Sequence, residues 1–375
     1  MPTPDSRLLH PSGDNAVNLM VGGHVHRNWN SYEIDSDLLI PADAWSVSLG
    51  LADGKIPAMV APGAEVMVRI GNDTVLSGRI DDIDDHIHKE GHSLTLRGRD
   101  GAAVLVDCSA PIFTAKMATL AEVVASVVRP LGVRKIRIDA DRAGTAEKVN
   151  VEPGDTAWDT LVHAAEANGL WPWFEPDGTL VIGGPDYSAP PVASLVMRHN
   201  GKGNNVLSLK RSRSMAERYS DITVLGQSHG TSVENGKHAI KSTVRDSAMS
   251  IYRPKVKVDH DAESAESARA RARKILSDGR LKGLTLVAEV AGHRTSGGQL
   301  WQPGQRIHVI CEPLGIDATF FLMARTIQGG RATGTITRLT LKEDKLWVLD
   351  AHPHKRKHRR GKNASAGLEA VDVSQ

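Results

Sequence analysis

Apolar and polar residues alternate through much of this chain, and in two places the alternation belongs to the same larger plan. Pro62-Gly63 leads into Val66, Val68 and Ile70, then Asn72-Asp73, Val75 to Ile83 with Gly78-Arg79-Ile80, and Leu94-Thr95-Leu96. Pro303-Gly304 leads into Ile307, Val309 and Cys311, then a turn, Phe320 to Ile327, Gly329-Gly330 and Leu339-Thr340-Leu341. Period two puts alternate side chains on opposite faces, so each run predicts a half-buried strand. Proline sets φ for the second position of a type II turn and glycine accepts the positive φ of the third. The Pro-Gly pairs lie 241 residues apart and the Leu-Thr-Leu triplets 245. Three elements in one order at nearly constant offset predict a duplicated β module.

Other strands are predicted at Val17 to Val21, His24 to Trp29, Tyr32 to Ile34, Trp45 to Leu51, Ser93 to Arg97, Val206 to Leu209, Ile222 to Leu225 and Leu284 to Val290. Short strands with turn signals at this density read as a barrel or sandwich. Helix signals begin after Cys108. Thr119 with Glu122 has capping-box form before the stripe Leu120, Val123, Val124 and Val127, and Pro130 and Gly132 stop that helix. Thr156 with Asp159 caps a second helix, Ala157 to Asn168, with the stripe Trp158, Leu161, Val162 and Ala165 and with Gly169 as its end. A hairpin turning at Pro176-Asp177-Gly178 follows. Tyr187 to Pro191 reads as a linker. Glu263 to Ser277 predicts a helix with a narrow face of Ala265, Ala268, Ala272 and Ile275, and Gly279 lies beyond it. The fold class expected is α+β, β-rich: two related β-barrel modules, at 15–108 and 190–350, with a small α/β module at 109–186 between them and a disordered basic tail at 351–375.

A chain of 375 residues with 40% hydrophobic and 24% charged residues has the composition of a globular protein of several domains. Its 35 glycines and 18 prolines fit a turn-rich β protein. Cys108 and Cys311 lack any metal-ligand spacing and suggest no disulfide framework. Nothing near Met1 resembles a secretory signal, so synthesis and folding in the cytoplasm are expected. The net charge of +2 is unevenly spread. From Ala351 onward, six basic residues (Lys355, Arg356, Lys357, Arg359, Arg360 and Lys362) face two acidic ones, and the rest of the chain holds 40 basic and 42 acidic groups. Contact with DNA or another acidic surface is therefore expected of the tail alone.

Several runs of residues resemble the baseplate hub proteins of Mu-like contractile-tailed phages. They are Val17 to Gly23, Gly98-Arg99-Asp100 through Leu105 to Ser109, Trp158-Asp159-Thr160-Leu161 leading to Asn168-Gly169-Leu170, Tyr252-Arg253-Pro254, the Ala-Arg helix, and Trp301-Gln302-Pro303-Gly304. The helix and hairpin from Thr156 to Ile182 are also similar to spike proteins of type VI secretion systems. The resemblance implies a structural virion protein of the tail baseplate with no catalytic, cofactor or metal site. It implies a homotrimer whose six β modules match a sixfold tail tube, join the tube to a central spike protein and enclose a channel for DNA. Tail tube, tape-measure and baseplate wedge proteins are the further partners implied. A spike-base component of a contractile secretion system or bacteriocin is the rival within this architecture, and the lack of a long β-repeat after Leu341 speaks against it. The basic tail is not part of the shared pattern.

Four further motifs carry chemistry that must be weighed. Gly226-Gln227-Ser228-His229-Gly230 has the G-x-S-x-G form of a hydrolase nucleophile elbow, which would make a serine hydrolase using Ser228 and His229. That motif requires a helix after the strand, and Thr231 to His238 is polar, contains Gly236 and has no apolar stripe, so a loop is expected. His24 with His26, and His86 with His88, share strand faces, but two ligands do not close a metal site. Asp81, Asp82, Asp84 and Asp85 lack the glycine and terminal glutamate of a calcium loop and read as a solvated strand face. Gly201-Lys202-Gly203 lacks the third glycine and following helix of a nucleotide site. Replacing Ser228 with alanine is expected to leave stability and assembly at wild-type levels. Covalent labelling of Ser228 by a fluorophosphonate would contradict the loop reading.

Overall fold

A computed structural model describes residues 15–26, 29–50, 59–89, 91–111, 114–116, 120–139, 148–150, 154–166, 169–227, 240–259, 262, 264–330, 334–347 and 368–371. The chain divides into two compact units. The first comprises Met1–Ala164, Pro172–Lys210 and Leu286–Leu341, and the second Ala165–Trp171, Arg211–Thr285 and Lys342–Gln375.

The N-terminal β module is built from β1 (Val17–Val21), β2 (His24–His26), β3 (Ser31–Asp37), β4 (Ala44–Gly50), β5 (Glu65–Ile70), β6 (Asp73–His88) and β7 (Gly91–Asp100). Val17, Leu19 and Val21 of β1 and Val66, Val68 and Ile70 of β5 are buried, the alternation that one-sided burial imposes. The strand order is β2-β1-β5-β6-β7-β4-β3. The sheet curls around its core. Trp29, just before β3, donates its indole N–H to Val17 O on β1 at 2.8 Å. Among the described residues no strand pairing closes this curl into a barrel. A bulge between Ile80 and Asp82 interrupts the β6–β7 register and strengthens the local twist.

The α/β segment follows with α1 (Ala103–Asp107), β8 (Thr114–Lys116), α2 (Leu120–Val128), β9 (Ile136–Ile138), β10 (Lys148–Asn150), α3 (Ala157–Glu166), β11 (Trp171–Phe174) and β12 (Leu180–Gly183). The stripe expected of α2 is buried, with Val128 added to it. Thr119 lies outside the described residues. Thr156 Oγ1 accepts from Asp159 N at 3.0 Å, as a cap should. The hydroxyl also donates to the Asp159 carboxylate at 2.7 Å. β12 pairs with β9 in parallel, a contact that the hairpin pattern alone does not reveal.

The remaining elements are β13 (Ala193–Met197), β14 (Ser208–Arg213), β15 (Asp221–Gly226), β16 (Ile240–Asp246), β17 (Pro254–Val258), α3's successor α4 (Ala265–Gly283), β18 (Leu284–Ala291), β19 (Arg306–Cys311), β20 (Ile316–Gly330), β21 (Gly334–Glu343) and β22 (Leu368–Val371). In the second unit β15, β16, β17 and β22 form a sheet in the order β17-β15-β16-β22. Ile222, Val224 and Val244 of this sheet pack with Ala268, Ala272 and Leu276 of α4. Ser264 caps α4 through a capping box with Ser267. The helix runs past Gly279 to Gly283, further than its sequence suggests. Gly279 is needed for another reason: a Cβ there would lie 2.6 Å from Glu217 O. β22 lies within the stretch read from sequence as a disordered tail, and it pairs antiparallel with β16. The basic residues Lys355 to Lys362 lie outside the described residues.

β13, β14 and β18 to β21 return to the first unit's sheet. Their order is β13-β19-β20-β21-β18-β14, which repeats β1-β5-β6-β7-β4-β3 position for position. The match extends to single hydrogen bonds. Gly63 N donates to Ile80 O at 2.7 Å and Ile80 N to Ala64 O at 3.0 Å; Gly304 N donates to Leu322 O and Leu322 N to Gln305 O, both at 2.8 Å. Both glycines have positive φ, +85° and +94°. One difference stands: β1 is antiparallel to β5, while β13 is parallel to β19. The segment read as a linker is anchored here, with the Tyr187 ring edge-on to Phe321 at 5.4 Å.

The close approach of β6 to β7 depends on Gly98. A Cβ there would meet Arg79 O at 1.9 Å and the Trp45 ring at 2.8 Å. Gly98→Ala is therefore expected to lower stability by about 2 kcal/mol through overpacking, read as a shift in the urea midpoint. A variant with the wild-type midpoint would contradict this packing.

Candidate functional site

The two β modules meet where β3 pairs antiparallel with the second half of β20, from Ser31↔Gly330 to Asp37↔Ala324. The junction is filled by polar groups. Tyr32 Oη and His293 Nε2 are 2.9 Å apart, and His293 Nδ1 and Thr337 Oγ1 are also 2.9 Å apart. The Thr337 hydroxyl donates to Gly292 O at 2.7 Å. Having given its proton away, Thr337 Oγ1 accepts from His293 Nδ1–H, so Nε2 is left to accept the Tyr32 hydroxyl proton. Burial favours the uncharged forms. It pushes the Tyr32 phenol up to about 12, and with the nearby Arg325 and Arg294 charges it pushes His293 down to about 3. The Tyr32 ring leaves room only for glycine opposite it: a Cβ at Gly329 would lie 2.2 Å from the ring.

Charged groups lie buried or half-buried beside this chain of hydrogen bonds. Arg325 of β20 is buried and donates to Trp301 O. Burial lowers its guanidinium to about 10, opposed by the charge of Asp43. Asp43 accepts from Asp37 N at 3.0 Å and is raised to about 6 by burial, with hydrogen bonds from Ser36 and Asp37 opposing the shift. Asp100 accepts from Ala102 N at 2.9 Å. Burial and the Asp43 charge raise it well above the usual carboxylate range. Sequence reading missed all of these residues, because in a local window His293, Arg325, Asp43 and Asp100 look like ordinary surface polar groups. These contacts tie β3 and β20 of the sheet together.

The acidic run on β6 is an exposed ladder of cross-strand pairs. Asp81 accepts from Arg99 Nε at 2.6 Å, Asp84 pairs with Arg97, and Asp85 pairs with His92. Arg99 also reaches Asp107 at 2.7 Å. The pairs sit at the surface, so each contributes modestly to stability.

The other motifs resolve as follows. Gly226 ends β15 and faces Ala262, whose carbonyl oxygen would lie 2.1 Å from a Cβ at that position. The first glycine of the G-x-S-x-G pattern thus has a packing role, and Ser228, His229 and Gly230 lie outside the described residues. His24 is exposed and His26 half-buried on β2. His86 is exposed on β6, and the side chain of His88 lies outside the described residues. Among the described residues no three His, Cys, Asp or Glu side chains gather as metal ligands would. Gly201-Lys202-Gly203 forms a chain reversal: both glycines have positive φ, +74° and +72°, and Asn204 Oδ1 accepts from Arg198 N at 2.7 Å.

Four family models match the chain in order. They are the N-terminal model of Mu phage baseplate assembly protein GpP-like over residues 16–100, the second domain of baseplate hub protein gp44-like over 102–184, the third domain of tail protein NMB1110-like over 218–276 and a tail protein C-terminal domain over 278–346. A solved tail protein from Neisseria meningitidis MC58 is 40% identical, with a TM-score of 0.80, over 90% of this chain and 99% of that one. The chain belongs to the baseplate hub proteins of Mu-like phage tails.

The hub protein is 25% identical to baseplate hub protein gp44 of Escherichia phage Mu over 95% of both chains. It shares the fold of the 43 kDa tail protein of prophage MuSo2 from Shewanella oneidensis, with 24% identity and a TM-score of 0.77 over 88% of this chain and 99% of that one. It is a component of the virion tail. Among its described residues no helix is long and apolar enough to cross a membrane.

The neutral His293 makes stability of the hub protein depend on pH. Its folded pKa, about 3, lies below the ordinary value of 6.5, so the unfolded state binds more protons between these limits. The stabilising contribution is complete above pH 6.5 and is lost as pH falls toward 3, at about 1.4 kcal/mol per pH unit at most. Asp43, raised from 3.8 to about 6, acts in the opposite sense, its share being lost as pH rises from about 4 through 6. Chemical unfolding of wild type and His293→Gln at pH 7.5 and pH 5 separates the two: the gap between the proteins is expected to shrink at pH 5. A gap independent of pH would contradict a buried neutral His293.

Proposed function

We propose that three copies of the hub protein close into a ring at the centre of the baseplate, joining the tail tube on one side to the central spike protein on the other and leaving a channel through which DNA passes. The observation that carries this reading is the repeated strand order within one continuous sheet. Two near-equivalent modules per chain give six positions in a trimer, which suits a tail tube of sixfold symmetry. Tape-measure protein inside the tube and wedge proteins around the ring are the further partners this placement implies. The role is structural: the hydrogen bonds at the module junction join elements of one sheet, Tyr32 to His293 and His293 to Thr337. The basic run from Lys355 to Lys362 suits transient contact with DNA or an acidic partner surface. Mass measurement in solution tests the reading, with about 121 kDa expected, three times the 40.4 kDa chain. Images of the ring should show six like modules around a hole, and a protein that stays monomeric at assembly concentrations would overturn the proposal.

A further inference from the structure

The repeat leaves one strand and one strand edge unmatched in each chain, and their charges are opposite. β20 pairs with β19 through Ile316 to Phe321 and with β3 through Ala324 to Gly330. Its counterpart β6 pairs with β5 through Asp73 to Arg79. Beyond Arg79, the edge of β6 opposite β7 meets no strand among the described residues. The counterpart of β3 is β14, which ends the sheet order and, among the described residues, pairs only with β18. Leu207 N donates to Glu289 O at 2.7 Å and Ser214 N to Gly283 O at 2.9 Å, the reversed order of an antiparallel pair. This matches the antiparallel pairing of β3 with β4.

The open edge is acidic. Asp81, Asp82, Asp84 and Asp85, together with Asp107, set five carboxylates against the guanidinium groups of Arg97 and Arg99. β14 reads Ser-Leu-Lys-Arg-Ser-Arg and contains no acid. The edge also carries Ile87, 76% exposed, on a long strand, and an uncovered edge of this kind is a template for pairing. The lengths agree as well. Seven residues of β3 pair with β20, seven residues of β6 remain from Asp82 to His88, and β14 offers six.

We propose that β14 of one copy adds antiparallel to the open edge of β6, Asp82 to His88, in a second copy, as β3 adds to β20 within the chain. Lys210, Arg211 and Arg213 then lie opposite the aspartates. Donor strand and acceptor edge are different surfaces, so the contact is head to tail, and a ring closes it. This inference rests on the trimer proposed above and names the surfaces that make it.

Charge reversal tests it. Asp82→Lys with Asp84→Lys, or Lys210→Glu with Arg211→Glu, is expected to raise the concentration at half-assembly by at least about 100-fold, with the thermal melt of the monomer showing that it remains folded. A chain carrying all four substitutions restores complementarity and is expected to regain the trimer mass. In the wild-type trimer, hydrogen exchange should be slow at alternate amides from Asp82 to His88. A wild-type trimer whose mass is indifferent to both reversals, or whose amides in this stretch exchange freely, would overturn the pairing and leave the trimer standing. A monomeric wild type would overturn both.

Discussion

The ladder between β3 and β20 is the contact on which the rest of the first unit depends. It converts two curled sheets, drawn from opposite ends of the chain, into one. Its position is enforced by side chains that fit nowhere else. Gly329 must be glycine because the Tyr32 ring lies over it, and the half-buried Tyr32 hydroxyl meets His293 Nε2 at 2.9 Å. A shift of one residue along the ladder would turn every side chain of β3 to the other face. It would break the bond between the imidazole Nε2 and the phenol, a cost that grows with the burial of the groups left unpaired. Polar burial here specifies register more than it adds stability, a use of buried polar groups known from other folds.

Much of the secondary structure was legible because one-sided burial writes itself into alternation and helical stripes. The buried faces of β1, β5 and β19 and the stripe of α2 are the ones periodicity marks. Pro62-Gly63 and Pro303-Gly304 were legible because their turn geometry is demanded by those two residues. Pairing was less so. Nothing near Ser31 announces that its partner is Gly330, since strand partners are selected by three-dimensional fit and not by local propensity. Glycines at element ends misled for a related reason: Gly279 and Gly226 resemble a helix stop and a catalytic elbow, yet each exists to admit a neighbouring carbonyl.

The candidate site was legible in part. The aspartates of β6 could be placed on a strand face from spacing alone, but their partners Arg97, Arg99 and His92 depend on a register that passes through a bulge. The buried ions at the junction were not legible at all, because the sequence pattern of a paired charge in the interior is that of a charge on the surface. What could be read early was the repeat, and it proved the most informative signal because two independent copies of one plan constrain each other.

In the second module the ends of a long excursion are held together. The chain leaves the sheet at the end of β14 and returns to it at β18, and these two strands are neighbours, with Ser214 N only 2.9 Å from Gly283 O. The segment 214–283 is therefore strung between two points already held side by side. An excursion whose exit and entry coincide imposes almost no tension on its host, and its length enters the closure entropy only logarithmically. Closing this excursion therefore costs little chain entropy, whatever the number of residues it contains.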